Sequence, residues 1–134
     1  MGLIDDLYAE INGHNSAIDA NNAKISRLEV VKKDIADAKD EADQLKTNWN
    51  DNFVTAFAAD GTWYGTNKNT VVECSQDYVP PAYDTYIDNI DAVLDAICDK
   101  ITALKAENND HYGAIGWLNS RIQSLLNEIE KKVN

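Results

Sequence analysis

Apolar residues recur along this chain at alternating steps of three and four. The first series runs Ile4, Leu7, Ile11, His14, Ile18, Asn21, Ile25, Leu28, Val31, Ile35, Ala38, Ala42, Leu45 and Trp49. A seam with this seven-residue repeat lies along one side of an α-helix, so another surface must cover it. The residues between are mostly Asp, Glu, Lys, Asn and Ala, which suit a wet face. Gly13 costs about 1 kcal/mol of helix propensity, and no proline occurs before position 80. Phe53 and Phe57, one turn apart, extend the pattern, which predicts a first helix over about residues 3–59. A second series runs Tyr83, Ile87, Ile90, Leu94, Ile97, Ile101, Leu104, Asn108, His111, Ile115, Leu118, Ile122, Leu125 and Ile129, and predicts a second helix over about 81–132. Gly113 and Gly116 mark its weakest region, where a break could fall.

Between the two runs stands Asp60-Gly61-Thr62-Trp63-Tyr64-Gly65-Thr66. Its glycines reach backbone angles that other residues avoid, so residues 60–66 read as a reversal. Two long helices joined there fold back as one all-α domain, a long antiparallel helical hairpin packed like a coiled coil. Trp63 either packs between the helix ends or stands exposed as a tip that touches a partner. The patch from 67 to 80 is open between helix and loop; Val71-Val72 invites a strand, but one short strand has nothing to pair with. Pro80-Pro81 requires that helix two begin there or bend there.

Both seams carry polar residues midway. If His14 faces His111 the residue numbers sum to 125, and if Asn21 faces Asn108 they sum to 129. Both sums put the fold point between 62 and 65, which favours a second helix starting soon after Gly65, with a bend at the prolines. Polar layers of this kind set register at some cost in stability. The hairpin seam is therefore read as Ile11, His14, Ile18, Asn21, Ile25 and Leu28 against Leu104, Asn108, His111, Ile115 and Leu118. Leu3, Val30, Val93, Trp117 and Leu126 lie outside it and widen the apolar stripe. A wider stripe calls for further helices, from a second copy in a homodimer or from another chain.

Composition narrows the function. The 134 residues hold 23 acids against 12 Lys and Arg, a formal charge of -11. That disfavours nucleic acid and anionic membrane surfaces, which need a basic footprint. No 18-residue apolar run exists to enter a bilayer, and the acidic start is unlike a cleavable signal peptide. Cys74 and Cys98 are too few for a disulfide framework; one bridge or two free thiols remain open. Asp84, Asp88, Asp91, Asp95 and Asp99 share a helix face, which reads as solvated rather than as a cation site. His14 and His111 are two ligands where zinc needs more; they read as seam residues whose protonation loosens the hairpin. No nucleophile with its base and no phosphate-binding glycine loop is present. The expectation is a protein without catalytic activity, metal or cofactor.

Trp63-Tyr64-Gly65, a Trp-x-Gly at the fold point of two long helices, resembles the WXG superfamily of type VII secretion in Gram-positive bacteria. In length the chain is most similar to the YwqH-like group, accessory chaperones of LXG toxins. The resemblance covers nearly the whole chain in periodicity and turn. It implies that Trp63 and Gly65 form the turn, and that the helices bind the helical N-terminal domain of an LXG toxin beside a second small helical protein. Secreted members often carry Tyr-x-x-x-Asp/Glu, or the Phe version; neither stands here. The chain then either rides out on a partner that carries the signal or stays in the cytoplasm as a targeting factor. Two other readings are a homodimeric type VII substrate and a structural coiled-coil spacer.

Overall fold

The computed structural model describes residues 2–56 and 65–133, with the side chain of residue 66 outside the description. Helix α1 spans Gly2–Asn48 and passes into a π-helical segment, Trp49–Val54. Helix α2 spans Thr66–Asp77, and α3 spans Val79–Val133. The fold is all-α, a helical hairpin, with no strand among the described residues.

The patch left open between helix and loop is helical, and Val71-Val72 lies inside α2. The second half of the chain therefore starts at Thr66 and is interrupted at Tyr78, rather than starting at Pro81. The prolines explain both facts. Pro80 and Pro81 cannot donate to carbonyls one turn back, so α2 ends before them; in the first turn of α3 those donors are not needed. Tyr78 joins the helices, its N–H donating to the Cys74 carbonyl at 3.1 Å and its carbonyl accepting from Ala82 N–H at 3.3 Å. Upstream, Gly65 caps α2 with φ 107 and ψ -171, a conformation closed to other residues, and its carbonyl accepts from Asn69 N–H at 3.1 Å. Helix α3 runs unbroken through Gly113 and Gly116. Both are exposed, while the flanking Leu118 is 2 % exposed, so burial along the seam offsets their weak propensity.

The chain divides into two compact units, residues 1–29 with 98–134, and residues 30–97. In the first, the start of α1 lies antiparallel to the end of α3. Ile4, Leu7 and Ile11 pack with Leu118 and Ile122, and Ile115 and Leu125 close over them. Ile18, Ile101 and Leu104 continue the buried row. Every apolar seam position in this unit is buried or half-buried except Ile129.

The second unit follows the pattern less closely. Of the α1 seam, Ala42 is buried and Ile35 and Trp49 half-buried, but Val31 and Leu45 stand exposed. Lys39 and Lys46 turn toward α3 in their place, each partly covered. An undistorted helix drifts about 20° per heptad against a strict seven-residue repeat, so the covered row slides to the next residue. Lys39 Nζ meets Asp91 at 2.7 Å and Lys46 meets Asp84, with residue numbers summing to 130 in both pairs. Helices α1 and α3 are thus antiparallel in this unit too.

Candidate partner-binding surface

Polar layers set the register from within the seam. In the first unit, Asn21 Nδ2 donates to Asn108 Oδ1 at 3.0 Å, and Asn108 Nδ2 donates to Asn22 Oδ1 at 2.9 Å. Asn21 and Asn108 are buried, and one amide clamps two consecutive residues of α1. A slip of either helix would strand these groups without partners, which is how a buried polar pair specifies alignment. Asn22 is invisible to a seam count because it sits one residue off the row. A chain with two adjacent asparagines opposite a third is the signal that could have found it.

Nearer the start of α1, His14 Nδ1 and His111 Nδ1 lie 2.7 Å apart, with ring centroids at 5.0 Å and planes tilted by 54°. At this distance one Nδ1 donates and the other accepts. The spacing places a hydrogen bond between the rings. Among the described residues no group of three or more His, Cys, Asp and Glu side chains is arranged to hold a metal ion. Cys74 and Cys98 are free thiols.

The other seam residues singled out from the sequence fall as follows. Ile11, Ile18, Leu104 and Leu118 are buried; Ile25, Leu28 and Ile115 are half-buried. Gly65 is exposed at the start of α2. Trp63, together with Phe57 and Tyr64, lies outside the described residues, and so do both alternatives for its ring.

Trp49 has a role that periodicity alone conceals. Its indole Nε1–H donates to the Ser75 carbonyl at 2.9 Å, and its ring stacks on Phe53 with centroids 5.1 Å apart. Ser75 is buried and its hydroxyl donates to the Val72 carbonyl at 2.8 Å. The Ser75 carbonyl lies in the last turn of α2, just ahead of the prolines. Helix ends leave such carbonyls without intrahelical donors, and the indole supplies one. The π-helical segment widens the turn that carries Trp49 and Phe53; the Thr55 N–H reaches back five residues to the Asn50 carbonyl.

What remains on the outside is large and apolar. Leu3, Val30, Val93, Trp117 and Leu126, the residues that widen the stripe, are all exposed, Trp117 by 66 %. Tyr8, Tyr78, Tyr86 and Tyr112 join them. Single exposed apolar residues are ordinary, but this many large ones on the outside of paired helices point to candidate contact surfaces. None of the described helices is long and apolar enough to cross a membrane.

Among known proteins, a family model described as YwqH-like matches residues 2–127. No curated protein and no solved structure matches the chain.

Proposed function

From the premise that the chain belongs to the YwqH-like family, we propose that it is an accessory protein that binds the helical N-terminal domain of an LXG toxin and guides it to type VII secretion. It works by binding, without catalysis or cofactor. The observation that supports this reading is the set of large apolar side chains left exposed in each unit, Leu3 and Trp117 in one and Val30 and Val93 in the other. Helices of a partner laid on such faces gain roughly 25 cal/mol for each Å² of apolar surface covered. Polar layers inside the seam hold the hairpin in one register meanwhile, so the outer faces are presented ready-made. The toxin domain, with a second small helical protein, is the partner proposed. The chain acts in the cytoplasm and leaves it, if at all, with its cargo.

Mass measurement of the intact complex drawn from native cells tests this. The expected result is one complex holding this chain, an LXG toxin and a further small helical protein. A pure homodimer would replace the proposal with a self-assembling secreted substrate. A lone or filament-forming chain whose binding tolerates changes at Trp63 and Gly65 would replace it with a structural coiled coil.

A further inference from the structure

The unit formed by residues 30–97 closes poorly on itself. Among its described residues the buried apolar side chains are Ala42 and Ile90, whereas the other unit buries a row of Ile and Leu. One side of its α1–α3 pair is ion-paired, through Lys39–Asp91 and Lys46–Asp84. Elsewhere on the pair, Ile35, Ala38, Tyr86, Asn89, Ile90 and Val93 line an open hollow of about 250 Å³. This hollow is an apolar groove between α1 and α3, and Tyr86 also lines a second hollow of about 430 Å³ with Tyr78, Val79, Ala82 and Tyr83. Val31 and Leu45, the seam residues that stand exposed, share the α1 face of Ile35 and Ala38 by helix spacing.

The α1 edge of the groove is acidic. Asp34 and Glu41 stand one turn either side of Ala38. Residues 30–97 carry 13 acids and 5 bases, a net -8 of the whole chain's -11. A second copy laid in the groove would bring this charge against itself. We propose that the groove receives an amphipathic helix from a different chain, with apolar residues at steps of three and four and Lys or Arg along the edge that meets Asp34 and Glu41. This rests on the proposed function and adds to it where the partner docks and what chemistry it carries. Apolar contacts hold the helix, and opposite charge along one edge sets its direction and register.

A photo-crosslinking residue in place of Val93 of the full chain, used in native cells, tests the groove. The expected product joins position 93 to a helical segment of another chain with the stated apolar spacing and a basic edge. With that segment as a synthetic peptide, Val93→Asp weakens binding by about tenfold or more. The pair Asp34→Lys and Glu41→Lys weakens it comparably at low salt, and the difference shrinks at high salt. Gln123→Ala, at an exposed position in the other unit, leaves the affinity unchanged, and an unaltered melting temperature shows that Val93→Asp folds. A crosslink to a second copy, a segment with an acidic edge, or no crosslinked chain overturns the proposal. The two readings fail separately. A basic-edged helix from a chain other than an LXG toxin leaves the groove and removes the toxin role. A toxin complex indifferent to Val93→Asp removes the groove alone.

Discussion

Asn108 illustrates how one side chain outweighs its neighbours. It bonds Asn21 and Asn22 at once, and among the described residues no buried side-chain polar atom lacks a partner. Asn108→Ala would strand the Asn21 amide inside the seam, and thermal unfolding should show a loss of about 1–3 kcal/mol. The paired change Asn21→Leu with Asn108→Leu should recover most of that stability. It should also relax the alignment of the helices, visible as additional oligomers on size exclusion. Gly65 is limiting for a different reason. Nothing lies within 4 Å of where its Cβ would sit, so space is not the obstacle. The obstacle is φ 107, and Gly65→Ala should cost about 1–3 kcal/mol in unfolding experiments through backbone strain alone.

At the scale of the helix, the heptad and the α-helical turn disagree slightly, and the disagreement decides which seam residues are structural. Leu104 is enclosed, so Leu104→Ala should destabilise by about 2–5 kcal/mol. Val31, nominally an equal member of the same repeat, is 43 % exposed, and Val31→Ala should change the melting curve by no more than about 0.5 kcal/mol. Equal losses at both positions would show that the covered row does not shift. Lys39 fills the place that the drift opens. Its hydrogen bond and attraction to Asp91 raise its pKa above the ordinary 10.5. A raised cation stabilises fully below its unfolded value and stops doing so as pH climbs through the folded one. Melting temperatures of the wild type and Lys39→Met should therefore differ at neutral pH and converge in strongly alkaline buffer. Because both side chains reach solvent, the difference should be small and should fall with salt.

The whole chain is acidic, yet each of its two units leaves large apolar side chains exposed, two properties that pull against each other. Charge of -11 keeps copies apart, while exposed Trp117, Tyr78 and Val30 favour association. The combination suits a partner of complementary charge better than self-assembly. Measured against ionic strength, association with the basic-edged partner proposed above should slow markedly as salt rises, since steering between opposite charges is screened beyond about 8–10 Å. An association rate independent of salt would mean that apolar contact alone selects the partner.

Much of this was legible from residue order. The three-and-four spacing, the absence of proline before position 80 and the matched His and Asn positions dictated helices, their antiparallel sense and their register. Periodicity and pairing are local or arithmetical, so a sequence carries them openly. The match to the family likewise spans the repeat and the turn together, residues 2–127. Other features needed three dimensions. Where a helix drifts off its heptad depends on what it packs against, so the exposure of Val31 and Leu45 and the inward Lys39 and Lys46 do not appear in the spacing. The indole bond from Trp49 to Ser75 joins residues 26 apart, across the break that the prolines impose on α2. A surface, in turn, exists only once the seam has closed. The groove beside Tyr86 is made of residues from two helices that the sequence keeps far apart, and only folding sets them side by side.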